Sequence, residues 1–428
     1  MPSRLSLPIG AALVAGVVLA VGSATLLPGA APSAAAEALP AYGSCDGLLA
    51  DYRDALARTA TPYGAAPDMG GGVNAVASSD SASGARTSAP QALGAIEFGP
   101  TGTNLQEQGV DEPDMVKLSG NLLVAVSRGR LQVVRAGAQP SLVASLVLSA
   151  DAAPRGGPGQ WENYGGAGAE LLVQDDRVLV LRSSDGFAAR TGPSATGGTE
   201  LVLVDLADPA HPAVLERLEL DGRYVSARLS GGSVRVVTSY GASYRPTFPA
   251  EPHGRAQEDE ALAANIAAAR KVSLAQVLPQ QRRSTGAGML LERGPAVGCE
   301  QVRHATESAG AQTLLVSTFE LSRGLAAVDR TGVRTSGDLV YAAPERLYVA
   351  TSRWAGMRPM PADARASSAT GTRSTTTTEL HGFDTATPGR TRYLGSGSVD
   401  GYVLGRWALS AHDRHLRVAT TSSPPWEQ

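Results

Sequence analysis

Residues 103–120, TNLQEQGVDEPDMVKLSG, lead directly into the apolar run NLLVAVS at 121–127, and the reading of this junction decides the fold. Upstream, residues 61–98 are rich in Gly, Ala, Ser and Pro and show no hydrophobic period. Such a stretch buries too little apolar surface to offset the entropy lost on ordering, and it reads as a linker. Downstream, MVKLSGNLLVAVSRGRLQVVRA (115–136) carries branched aliphatic runs broken at Ser119-Gly120 and Arg128-Gly129. That is the pattern of short strands joined by tight turns.

The rest of the chain keeps this rhythm. ELLVQDDRVLVLRS (170–183), TELVLVDLADPAHPAVLERLEL (199–220) and YVSARLSGGSVRVVTS (224–239) pair strands about Asp175-Asp176 and Gly231-Gly232. Asp208-Pro209 turns the chain after VLVDL. TLLVSTFEL (313–321), GDLVYAAPERLYVATSRW (337–354), TTTTELHGFD (375–384) and VDGYVLGRWALSAHDRHLRVATTS (399–422) repeat the order. The strands recur with antiparallel turn signals and no intervening helices of the βαβ type. The pattern predicts an all-β fold, either a periodic array of four-stranded antiparallel units or a sandwich.

The junction also carries a motif: Asn104-x-Gln106, Gly109-Val110-Asp111-Glu112-x-Asp114, then a hydrophobic residue and Lys117. It resembles the signature that opens the β-propeller domain in a family of secreted bacterial proteins, and the resemblance extends over about residues 97–426. The resemblance implies a β-propeller of four-stranded antiparallel blades over 99–428, in an extracytoplasmic protein. It also implies further blades beyond Gln428, so the ring is expected to be incomplete in this chain.

The 428 residues are 43% apolar, enough to bury a full-sized core. Thirty-seven basic against 40 acidic residues leave a net charge of −3, which removes the broad attraction that nucleic-acid binders rely on. The N-terminus reads as an export signal: Arg4, an uncharged apolar stretch from Leu7 to Leu27, and small residues at 33–36 before Glu37. The apolar stretch is long enough to span a bilayer, so residues 1–36 are either a cleaved signal peptide or an uncleaved membrane anchor. Residues 37–60 hold Leu48, Leu49, Tyr52 and Leu56 at helical spacing, a short amphipathic helix. Residues 244–298 interrupt the strands with RAQEDEALAANIAAARKVSLAQVLPQ (255–280), whose acidic start and basic end suit a helix forming a surface strap. Its apolar residues are mainly Ala and its charges balance, which argues against a membrane-binding helix.

Cys45 and Cys299 are the only cysteines. In an oxidising compartment a disulfide clipping the N-terminal helix to the base of the strap is expected, with two buried thiols as the alternative.

Asp111, Glu112 and Asp114 form the one dense acidic cluster and are the metal candidates, since hard cations favour several carboxylate oxygens. Their spacing does not fit an EF-hand loop, and Pro113 between them suggests a rigid entry turn whose acids bond to backbone amides. Asp205 and Asp208 read as a strand end and an Asp-Pro turn. His412 and His415, three apart, would lie on opposite faces of an extended strand. His211, His253, His304 and His381 are scattered. No nucleophile elbow, phosphate loop or dinucleotide fingerprint is present; the Gly-rich stretch 156–168 is irregular, and its Trp161 and Tyr164 suit a loop anchor better than a sugar platform.

No catalytic residue and no cofactor is designated by these patterns. The sequence points to a non-catalytic binding or scaffolding module for a protein or small-molecule ligand, with membrane anchoring through the apolar N-terminal segment as a further reading. A secreted hydrolase or oxidoreductase with a channel site is the alternative, because propeller sites assemble from distant loops.

Overall fold

A computed structural model describes residues 38–65, 105–148, 169–184, 198–242, 252–304, 310–355, 375–413 and 415–422. The apolar segment 1–36, most of the linker 61–98, the stretch 156–168 with Trp161 and Tyr164, and Trp426 lie outside these residues.

The described chain opens with helix α1, Cys45–Arg58, followed by the small hairpin β1, Ala60–Thr61, and β2, Gly64–Ala65. Ser44 caps α1 by accepting a 3.1 Å bond from the Gly47 amide. Leu48, Tyr52 and Leu56, each four apart, form its buried stripe.

Four sheets follow. The first is a meander of β3, Val116–Ser119; β4, Leu122–Ser127; β5, Arg130–Arg135; and β6, Ser141–Val147. The second is β7, Glu170–Gln174; β8, Arg177–Ser184; β9, Gly198–Asp205; and β10, Ala213–Asp221. The third begins with β11, Arg223–Ser230, and β12, Ser233–Gly241. The turn between them needs two positive φ values, 55° and 75°, which Gly231 and Gly232 supply at little cost.

The chain then leaves the third sheet. It forms α2, Arg255–Ala269; α3, Leu274–Val277; and a hairpin of β13, Gln280–Thr285, and β14, Leu290–Pro295. The sequence predicts a helical strap here, yet the strap also carries strands: β13 pairs antiparallel with β10 and extends the second sheet to six strands. QQRRST is wholly polar, and LLERGP follows its two leucines with charged, Gly and Pro residues, so these strands lack the aliphatic runs that mark the others. The short strand β15, Val302–Arg303, lies parallel to β17, Asp329–Val333, which follows β16, Gln312–Phe319, in the third sheet. The fourth sheet is β18, Leu339–Ala343; β19, Arg346–Ala355; β20, Thr375–Asp384; and β21, Arg392–Asp400. A last hairpin joins β22, Leu409–His412, to β23, His415–Val418.

Strand alternation stacks these sheets face to face as propeller blades. In β7–β9 the residues Leu171, Val173, Val178, Val180, Val202 and Val204 pack against Val124, Val126, Leu131 and Val133 of the first sheet. The intervening Leu172, Leu179, Leu181, Leu201 and Leu203 point the other way, into a core with Val234, Val236, Leu315 and Phe319 of the third. Val237, Leu314 and Val316 then meet Leu347, Val349 and Phe383 of the fourth. Tyr341, Ala350 and Leu380 on its far face meet Val403 and Leu409. Successive strand residues point to opposite faces, so one aliphatic run serves two interfaces.

Two further ties hold the layers. A disulfide joins Cys45 to Cys299 across 254 residues with Cα atoms 5.2 Å apart, fixing α1 to the end of the strap. Beside it, Arg334 donates to the Tyr42 hydroxyl at 3.2 Å, to Asp51 Oδ2 at 3.2 Å and to the Asp51 carbonyl at 3.1 Å. The second tie is Arg235 on β12, almost fully buried and without a carboxylate ion pair among the described residues. It donates to Ser230, to Thr391 Oγ1 at 3.0 Å, and to the carbonyls of Thr385 at 3.0 Å and Arg390 at 3.1 Å. Burial pulls its guanidinium down to about 10, opposed by Asp329 and Asp384.

Replacing Arg235 with Leu strands these carbonyls between the third and fourth sheets and is expected to cost roughly 3 kcal/mol in chemical denaturation. A loss below about 1 kcal/mol would show that the turn at 385–391 docks without it.

Candidate functional site

The signature segment does not precede the sheets as a free turn; it threads among their innermost strands. Asp111 forms an antiparallel bridge with Leu229 of β11, with amide bonds of 2.8 and 2.9 Å. Three residues later Asp114 bridges Leu171 of β7, at 3.2 and 2.7 Å. Pro113 sits between the bridges, where it has no amide to satisfy. Val110, 1% exposed, joins the core between the third and fourth sheets.

Its side chains reach further. Asp111 Oδ1 accepts a 2.6 Å bond from Nζ of the fully buried Lys117 on β3, and a 2.9 Å bond from the Glu112 amide. Glu112 lies between two arginines: Oε2 is 3.0 Å from Arg406 Nη1, and Oε1 is 3.6 Å from Arg228 Nε. Arg228 also donates to the Val340 carbonyl of β18 at 2.9 Å and to the Ala227 carbonyl at 2.7 Å. Burial lowers its pKa, and Glu112 is the leading opposing influence. Gln106 Nε2 donates to the carbonyls of Arg406, at 3.0 Å, and Leu409, at 3.3 Å. Glu107 accepts from the Tyr341 hydroxyl at 2.5 Å, and that hydroxyl in turn accepts from the Ala411 amide at 2.7 Å.

One short segment is therefore bonded to β3, β7, β11, β18 and the chain after β21. Alongside it, burial raises the pKa of Glu170 on β7, partly offset by a 3.1 Å bond from the Tyr224 hydroxyl of β11. Of the predicted metal candidates, Asp111 and Glu112 turn to cations and Asp114 Oδ1 accepts from the Met115 amide at 2.6 Å. Among the described residues no group of three or more His, Cys, Asp or Glu converges as a metal site.

The other singled-out residues lie elsewhere. Asp205 Oδ1 accepts from the Ala207 amide at 2.9 Å and from Arg177 at 2.6 Å; Asp208 accepts from the Ala210 amide at 3.0 Å and lies 2.7 Å from His211 Nδ1. His253 is exposed, and His304 stacks on Tyr42 with ring centroids 4.1 Å apart. The expectation for His412 and His415 is corrected. The chain reverses between them, so they are directly opposed across the β22–β23 ladder and share a face. His381 is buried on β20, with Nδ1 3.1 Å from the Tyr393 hydroxyl and Nε2 3.4 Å from Glu379 Oε1. Arg353 Nε donates to the second Glu379 oxygen at 2.6 Å.

Arg228, Arg406 and Tyr341 were not singled out from the sequence. Each lies far along the chain from the segment it holds; the visible signal was the acidic cluster Asp111, Glu112 and Asp114 followed by Lys117 at the start of the first strand.

Stacked sheets, each built on four antiparallel strands and extended in the second by the strap hairpin and in the third by β15, whose innermost strands grip a common segment, define a β-propeller protein. The chain matches the Beta propeller domain family over residues 100–428, and it belongs to that family. No curated protein matches it.

Burial opposes ionisation of Glu379, but the bonds from His381 and Arg353 prevail and hold its carboxyl at about 2, below its ordinary 4.5. A depressed carboxylate stabilises the fold above its unfolded pKa, and that stability is lost as pH falls through the folded value. The stability difference between the native chain and Glu379→Gln is expected to reach roughly 2–3 kcal/mol near neutrality and to shrink as pH falls from about 4.5 toward 2. A difference that stays constant over that window would contradict the assignment.

Proposed function

We propose that the chain is an extracytoplasmic, non-catalytic β-propeller that serves as a binding scaffold for a protein or small-molecule ligand. The observation that carries this reading is the state of the axial carboxylates. Asp111 is bonded by Lys117, and Glu112 lies between Arg228 and Arg406. A carboxylate already paired with cations that are largely shielded from water has little free charge left to capture a metal or take a proton from a substrate. These acids are spent on holding the innermost strands together.

The extracytoplasmic placement rests on the export-like character of residues 1–36 and is supported by the bridge between Cys45 and Cys299, a bond that persists in oxidising compartments. Protein recovered from the producing cell is expected outside the cytoplasm, with neither cysteine alkylated unless first reduced. Its melting temperature is expected to be indifferent to calcium and to chelation by EDTA. Cytosolic recovery with both thiols alkylated would sink the compartment reading. A rise of several degrees on adding calcium, with a matching loss on chelation, would replace the axial brace with a metal site.

A further inference from the structure

The hairpin that β13 and β14 add to the second sheet ends in a feature that the scaffold does not require. Met289, Leu290 and Leu291 stand in a row at its tip, 64%, 51% and 40% exposed. The tip is well ordered by its own bonds. The Thr285 amide donates to the Met289 carbonyl at 2.8 Å, the Gly288 amide to the Thr285 carbonyl at 2.9 Å, and the Met289 amide to Thr285 Oγ1 at 3.1 Å. Gly286 presses the turn onto β10: its amide donates to the Leu215 carbonyl at 2.8 Å, and a Cβ there would lie 1.9 Å from the Val214 carbonyl oxygen. Three apolar side chains are thus held exposed to water at a preformed turn.

Behind the tip the register places Arg282 directly opposite Arg293. Like charges facing across a ladder repel. Arg282 has Glu219 at 3.5 Å, whereas exposed Arg293 has no ion pair among the described residues. An anion above this pair would relieve the repulsion. An exposed apolar turn with two facing arginines behind it, Glu292 being taken up by Arg283, matches the boundary of an anionic bilayer, where apolar side chains enter the acyl edge and guanidiniums meet phosphates.

We infer that this hairpin tip docks on an anionic lipid surface, inserting Met289, Leu290 and Leu291 while Arg282 and Arg293 contact the phosphate layer. Membrane contact at this tip is separate from any anchoring by residues 1–36, and it depends on the extracytoplasmic reading only for which membrane face it meets. The overall charge of −3 gives no general attraction, so the contact is local and carried mainly by the apolar residues.

The test reads the tip itself in the full chain. Because Cys45 and Cys299 are joined, Met289→Cys supplies a single free thiol for a polarity-sensitive fluorophore. With vesicles of phosphatidylcholine and phosphatidylglycerol in equal parts, the label is expected to shift to the blue and to be quenched by lipids brominated near the headgroup. Phosphatidylcholine alone should give a weaker response. Arg293→Gln should lower the fraction of tip inserted about fivefold. Replacing both Leu290 and Leu291 with Ser should lower it more than about tenfold. These positions are exposed, so the melting temperature of each variant should match the native chain and thereby exclude misfolding as the cause. A label that stays in water while the protein sediments with the vesicles would overturn the proposal, as would a response indifferent to both sets of substitutions. Cytosolic recovery of the protein, by contrast, would remove the compartment reading and leave the vesicle result standing.

Discussion

A carboxylate held between two arginines is the constraint on which this propeller depends. Glu112 is 9% exposed and Arg228 only 2%, so each charge has given up most of its hydration and is tolerable only while the other is in place. The arrangement requires three pieces of chain at once: the signature segment, β11, and the residues just after β21. Sheet stacking alone would leave the innermost strands free to slide, because aliphatic contacts are non-directional. Charged hydrogen bonds supply direction. Lys117 to Asp111 fixes the first sheet, the two backbone bridges fix the second and third, and Arg228 to the Val340 carbonyl fixes the fourth.

The periphery is held by a different set of contacts. The disulfide and the Arg334 bonds seat α1 over the core between the second and third sheets, and Arg235 ties the third sheet to the far turn of the fourth. Polar ties at the centre and edge frame blade interfaces that are mainly aliphatic, with a few aromatic rings such as Phe319 and Phe383. The axial acids thereby serve architecture, while the β13–β14 hairpin continues the second sheet beyond β10.

Much of this architecture was legible in the sequence because strand signals are local. Val178 to Leu181 and Leu201 to Val204 are continuous aliphatic runs with turn residues at their ends, and a run apolar on both faces must lie between two layers. The turn at Gly231-Gly232 and the α1 stripe are equally local. The hairpin β13–β14 was hidden, since its residues are polar or exposed and its strand character comes from pairing with β10. The axial site was half legible. Asp111 and Glu112 stood out as acids in a turn, and Pro113 pointed to structure, but nothing near them announced Arg228 or Arg406, which the fold brings in from distant strands. His412 and His415 were misread because spacing along a strand says nothing once a turn falls between two residues.

The central claim, that Glu112 and Arg228 hold the innermost strands as a coupled pair, is tested most directly by a double-mutant cycle. Stability is measured for the native chain, Glu112→Gln, Arg228→Gln and the double variant. The account predicts that each single change costs roughly 3 kcal/mol and that the double costs little more than either, a coupling of about 2 kcal/mol or greater. Costs that simply add, to within about 0.5 kcal/mol, would contradict it.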